Sequence, residues 1–206
     1  MRRPSRPRTR PSRNNLANRL RQAVATIRAG GIVAYPTEAV YGLGCDPFDR
    51  AAVEALLALK RRSPAKGLIL IADDFAVLEP LLLPLEVPLR RRILATWPGP
   101  VTWVLPARPW VPRWLRGQHD TLAVRVPGHP LARALCRAWG GPLVSTSANR
   151  SRQPPARTAL QVRQRLGRGV DFLLGGEVDR TARPSEIRDG LSGAVIRPGR
   201  AAKGAT

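Results

Sequence analysis

Apolar residues recur every three to four positions at Leu16, Leu20, Val24 and Ile27 and stop at Gly30-Gly31, which predicts a helix capped by Asn14 or Asn15. The short apolar run 32–35, ended by Pro36, then reads as a strand. A second helical period, Ala52, Val53, Leu56, Leu57 and Leu59 behind a capping Asp49, leads into Lys60-Arg61-Arg62, and 68–71 reads as a buried strand. Asp73 or Asp74 opens another helix, and Pro88 occupies the first turn of one running to Trp97. Strands are predicted at 101–105 and 121–126, and the stretch between them at 108–118, rich in Pro, Gly and Trp, at an ordered surface loop. Then come a helix over 130–139 ended by Gly140-Gly141, a strand at 143–146, a helix near 158–166, and strands near 170–174 and 194–196. Helices and strands alternate throughout, so the class is α/β, with a mixed sheet compatible with the pattern.

Composition narrows this picture. A chain of 206 residues and 22.5 kDa suits one domain, expected over 14–199. Residues 1–13 carry six Arg and three Pro with no acid, the composition of a disordered arm, and 200–206 reads as a loose tail. No apolar run is long enough for a membrane-spanning helix and no secretory signal pattern is present, so a cytoplasmic location without membrane contact is expected. Cys45 and Cys136 lack the spacing of a disulfide framework or zinc ribbon. The net charge of +21 points to an anionic partner. Arg supplies 32 of the 35 basic residues, so much of that charge reads as compositional bias on a solvated surface. Against that background, Lys60 and Lys66 within one segment stand out.

Familiar catalytic patterns are missing. There is no phosphate-loop signature; Gly42-Leu43-Gly44 begins like a dinucleotide fingerprint but has Pro47 where the third Gly belongs, and His119 and His129 show no paired-ligand spacing. What remains are polar clusters just after apolar strands, where open α/β sheets bind ligands. Thr37 and Glu38 sit at a strand end beside Gly42 and Gly44, which fit either an ordinary turn or a close backbone approach. Lys60, Arg61, Arg62 and Lys66 fit either a helix C-terminus complementing its dipole or a phosphate-holding loop. Ser145, Thr146, Ser147 and Asn149 fit either a cap for the following turn or a set of uncharged ligand contacts. Arg125, charged within an apolar strand, either points to solvent or clamps a carboxylate.

In this order, Tyr35-Pro36-Thr37-Glu38-Ala39-Val40-Tyr41-Gly42-Leu43-Gly44-Cys45, Lys60-Arg61-Arg62, Trp97-Pro98-Gly99-Pro100-Val101-Thr102, Ala123-Val124-Arg125-Val126-Pro127, Leu143-Val144-Ser145-Thr146-Ser147-Ala148-Asn149 and Pro184-Ser185-Glu186-Ile187-Arg188 resemble the threonylcarbamoyl-AMP synthase family, in its short single-domain, YrdC-like branch. The resemblance implies a twisted mixed sheet surrounded by helices with a concave basic face. It also implies synthesis of threonylcarbamoyl-AMP and pyrophosphate from L-threonine, bicarbonate and ATP, with Mg²⁺ accompanying ATP. The product would pass to downstream proteins that transfer the threonylcarbamoyl group to tRNA, and the basic face would admit tRNA or other RNA. By position, Lys60 and Arg62 match the family's KxR pair, and Ser147 and Asn149 its SxN pair, all four at the nucleotide phosphates. Thr37, Arg125 and Ser185 match the threonine site, with Arg125 on the carboxylate, and Thr121 and Arg197 match positions near ATP.

The chain departs from many relatives at Ser63, where Pro follows the KxR pair, at Ile71, where a His ends the strand, and at Glu186, where Thr follows Pro-Ser. A non-catalytic RNA-binding or ribosome-associated module is the competing reading. It calls for exposed Arg with stacking aromatics rather than uncharged groups at strand ends.

Overall fold

Helix α1 (Arg13–Arg28) starts ahead of the expected cap, and Gly30, at φ 77°, turns the chain out of it. A computed structural model describes residues 13–179 and 181–199, so the expected arm, apart from Arg13, and the tail lie outside the described residues. Strand β1 (Val33–Pro36) turns back into β2 (Tyr41–Gly44), a strand where the sequence suggested a loop. Its glycines have ordinary φ and serve close packing instead: a Cβ on Gly44 would lie 2.6 Å from the Val144 carbonyl oxygen and 3.0 Å from the Tyr35 ring.

Helix α2 (Arg50–Lys60) has the Asp49 carboxylate accepting from Ala52 N–H at 3.1 Å, the cap read from sequence. Strand β3 (Ile69–Ile71) follows, then the short α3 (Phe75–Leu78) capped by Asp74, and α4 (Val87–Leu94), which stops short of Trp97. Between β4 (Val101–Pro106) and β5 (Thr121–Arg125), the predicted surface loop contains a helical turn, α5 (Arg113–Arg116), and buries Val111, Leu115 and Arg116. Helix α6 (Pro130–Trp139), β6 (Leu143–Ser147) and α7 (Ala159–Leu166) fall close to their predicted positions. His129 caps α6, its Nδ1 accepting from Leu131 N–H at 3.2 Å. The chain closes with β7 (Phe172–Leu173), β8 (Glu186–Asp189), which the sequence did not reveal, and β9 (Val195–Arg197).

The described strands form one mixed sheet in the order β7-β1-β2-β6-β3-β5-β4-β8-β9. On one face, Leu43, Leu70, Trp103, Leu105, Leu122, Val124 and Val144 join Val53, Leu56 and Leu57 of α2 and Val162 of α7 in the larger apolar core. On the other, Val33, Tyr35, Ile71 and Leu143 pack against Ala23 and Ile27 of α1 and Ala132, Leu135 and Cys136 of α6. That second cover stops partway across the sheet, and the cavity lies over the part it leaves open. No helix among the described residues is long and apolar enough to cross a membrane.

Candidate active site

Strand periodicity decides which side chains reach the cavity. In β5, Leu122 and Val124 enter the core, while Thr121, Ala123 and Arg125 line a cavity of about 910 Å³. Ile69 and Ile71 of β3 and Ile187 and Asp189 of β8 line it by the same alternation. Of the nine residues that the family resemblance assigns to the site, Thr37, Arg62, Thr121, Arg125, Ser147, Ser185 and Arg197 line this cavity. Lys60 and Asn149 are not among the lining residues but contact Ser147, which is.

The β1–β2 turn positions Thr37. Its N–H and Oγ1 both donate to the Val40 carbonyl, at 3.0 and 2.6 Å, so the hydroxyl proton is spent and its lone pairs remain to accept.

Lys60 ends α2, and Arg61 follows in the left-handed region at φ 50° and caps the helix. Lys60 is only 3% exposed and turns inward, where its ammonium donates to the Ser147 carbonyl, to the Asn149 carbonyl at 2.9 Å and to Asn149 Oδ1 at 3.3 Å. Those three acceptors match the three protons of an ammonium group. Asn149 Oδ1 also accepts from Ser147 Oγ at 2.6 Å, and Asn149 Nδ2 donates to Gln153 O at 2.6 Å. The SxN turn is thereby fixed to the helix end, with Ser147 on the cavity side. Burial, reinforced by nearby Arg62, pulls the Lys60 pKa down to about 8.

The basic cluster read as either dipole complement or phosphate loop divides between the two. Lys60 is internal, Arg61 is exposed at the cap, and Arg62 and Lys66 line the cavity. Arg62 donates through Nη2 to Gly67 O at 2.9 Å, while its Nε is buried with no hydrogen-bond partner. Arg197 donates to the Ser185 carbonyl at 3.1 Å and to Ser185 Oγ at 3.4 Å. Burial lowers the pKa of both arginines, and for Arg197 the charges of Arg62 and Arg125 add to the effect. The Arg62 and Arg125 charges thus bear on Arg197 across one cavity, a cost that an anionic ligand relieves.

Arg125 points inward, not to solvent, and is 9% exposed. Its Nε donates to Gly99 O at 2.8 Å and its Nη2 pairs with Glu38 Oε1. Arg116, also buried, pairs with Asp120 at 3.0 Å and donates to the Val111 carbonyl at 2.8 Å. It lines the cavity with His119, and neither carries a sequence signal beyond lying in the Trp-containing segment. Of the departures from the family pattern, Ser63 caps the turn Pro64–Lys66 with its hydroxyl accepting from Ala65 N–H at 3.3 Å. Ile71 presents an apolar side chain to the cavity, and Glu186 pairs with Arg188 and faces a neighbouring cavity instead. Among the described residues no group of three or more His, Cys, Asp or Glu side chains is placed to hold a metal ion.

The chain is 59% identical over 179 residues to the threonylcarbamoyl-AMP synthase of Nitrosococcus oceani, an overlap of 87% of this chain and 97% of that one. Its fold superimposes on P. abyssi Sua5 complexed with L-threonine with a TM-score of 0.82 and 34% identity, covering 87% of this chain and 54% of that longer one. E. coli YciO gives a TM-score of 0.76 at 29% identity, covering 87% of this chain and 88% of that one. The profile of the Sua5/YciO/YrdC family, described as "Telomere recombination", matches residues 25–199, and the chain belongs to that family.

Proposed function

We propose that the protein is a threonylcarbamoyl-AMP synthase, condensing L-threonine, bicarbonate and ATP and releasing pyrophosphate. The observation that carries this reading is the convergence of Arg62, Arg125 and Arg197 with uncharged Thr37, Ser147 and Ser185 on one cavity. A surface that only bound RNA would have no use for hydroxyls recessed at strand ends.

The threonine amine and bicarbonate combine with loss of water to give an N-carboxylate. One of its oxygens attacks the α-phosphorus of ATP, and pyrophosphate leaves, which makes the enzyme a nucleotidyltransferase. Arg125 holds the threonine carboxylate. Thr37 Oγ1, its own proton committed to Val40, accepts from the threonine hydroxyl, and Ser185 borders the same site. Arg62 and Arg197 meet charge developing on phosphate oxygens, with Thr121 and Ser147 beside the nucleotide. Lys60 and Asn149 act by holding Ser147. No step needs a covalent enzyme nucleophile, and Cys45, buried with its thiol pushed up to about 12, is a packing residue.

The residues lining the cavity offer phosphates cationic partners but offer a metal no cluster of ligands, so Mg²⁺ belongs with the ATP phosphates as part of the substrate. We place the enzyme in the cytoplasm, upstream of proteins that move the threonylcarbamoyl group to tRNA, with RNA contact through its basic surface. Purified protein should release pyrophosphate from ATP only when threonine and bicarbonate are both supplied. Equal release without threonine would sink the assignment.

A further inference from the structure

Glu38 has no role in the chemistry above, yet it sits closer to Arg125 than any other acid. It occupies the β1–β2 turn beside Thr37, where its carbonyl accepts from Asp179 N–H at 2.8 Å and fixes the backbone. Its side chain borders both the main cavity and the adjoining one of about 550 Å³. Oε1 accepts from Gly128 N–H at 2.7 Å and pairs with Arg125 Nη2, so it is fully engaged. Oε2 is buried and has no hydrogen-bond partner. Burial works against the charge of this carboxylate, but Arg125 and the Gly128 N–H outweigh it and hold the pKa below the ordinary value, so the group is an anion at neutral pH.

An ionised carboxylate with one oxygen saturated and the other left dry is an unfinished pair, and buried polar groups normally find partners. Neutralising Arg125 would not by itself require the second oxygen to stay free. No described residue accepts from Arg125 Nη1, so the cation too keeps a donor in reserve. Side by side, the two groups offer one spare donor on a cation and one spare acceptor on an anion. A free α-amino acid has the matching outline, a carboxylate and an ammonium on one carbon.

Resting on the reading that this cavity takes an amino acid, we propose that Glu38 accepts the α-ammonium group of the substrate while Arg125 takes its carboxylate. Rotation about the last side-chain torsion, which is broad for a carboxylate, turns an oxygen of Glu38 toward the ligand. Glu38 thereby selects α-amino acids over their des-amino counterparts.

The test is titration calorimetry with L-threonine and with 3-hydroxybutanoate, which is threonine without its amino group. Wild-type protein should bind threonine more tightly by about tenfold or more, as expected where a site built around a polar partner meets a ligand lacking it. Glu38→Gln should lower threonine affinity by about tenfold while leaving 3-hydroxybutanoate affinity within about twofold, collapsing the ratio. An equal loss for both ligands would show that Glu38 only orients Arg125, and no loss for either would show that it is idle; both results overturn the proposal. Should Glu38→Gln fail to fold, the wild-type ratio still decides: equal affinities overturn the role of Glu38 alone. Wild-type protein that binds no threonine overturns the amino-acid reading together with it.

Discussion

Replacing Lys60 by Met removes an ammonium that ties the end of α2 to the turn after β6, and the cost follows from what its three acceptors keep. The Ser147 carbonyl retains the Asn149 N–H at 2.9 Å, and Asn149 Oδ1 retains the Ser147 hydroxyl at 2.6 Å. The Asn149 carbonyl, 2.9 Å from Nζ, loses its partner outright. One orphaned, partly buried acceptor costs about 1–3 kcal/mol, and the loss of two further bonds to a charged donor adds to it, while relief from a buried charge subtracts. The net loss at pH 7 should be about 2–4 kcal/mol, which for a domain of this size lowers Tm by roughly 5–15 °C.

The pH dependence supplies a second sign. The folded protein releases the Lys60 proton near pH 8, whereas the unfolded chain holds it to 10.5, so the unfolded state binds more protons in between. Wild-type stability therefore gains from Lys60 as pH rises through that window, and Lys60→Met has no such gain. The gap between the two proteins should widen above pH 8, by up to about 3 kcal/mol in full. Cysteine and tyrosine ionisations are common to both and cancel in the difference. Urea unfolding of the pair at pH 7, 8 and 9 measures it. A variant within about 0.5 kcal/mol of wild type at pH 7, or a gap that narrows with pH, would refute the placement of this ammonium.

Arg62→Ala should cut kcat for pyrophosphate release by more than about tenfold while the melting temperature changes little; unchanged turnover would remove Arg62 from the phosphate site. Cys45 is fully buried with its thiol pushed up to about 12, so a thiol reagent at pH 8 should label it about 100-fold more slowly in folded protein than in urea, and rapid native labelling would contradict that burial. Gly44→Ala puts a Cβ 2.6 Å from a main-chain oxygen of β6, and urea unfolding should show a loss of about 2–3 kcal/mol; a neutral result would mean that β2 and β6 can separate freely there.

Periodicity exposed the elements whose apolar faces are long enough to count: α1, α2, α6 and the central strands β3, β5 and β6. It did not expose β2 or β8. Strand β2 is four residues with two glycines, and its pairing with β1 and β6 is a tertiary fact; β8 is recruited to β4 by neighbours more than 80 positions away. The segment holding α5 carries the Pro and Gly of a loop, and Arg116 is buried there because it satisfies itself on nearby carbonyls and Asp120. Site residues were legible as motifs, but their orientation was not. Lys60 and Arg62 lie two positions apart on one helix end, and only the left-handed Arg61 between them sends one inward and the other to the cavity. Arg125 sits in an apolar strand whose alternation equally fits a solvent-facing arginine, until Glu38, from a distant turn, closes over it.

In the proposed reaction one cavity joins the threonine amine, bicarbonate and the α-phosphate of ATP. Mass spectrometry of the nucleotide products formed with ¹³C-bicarbonate tests it most directly. The products should include an adenylate containing both threonine and the labelled carbon, formed in step with pyrophosphate. An adenylate of threonine without the label, or AMP alone, would contradict it.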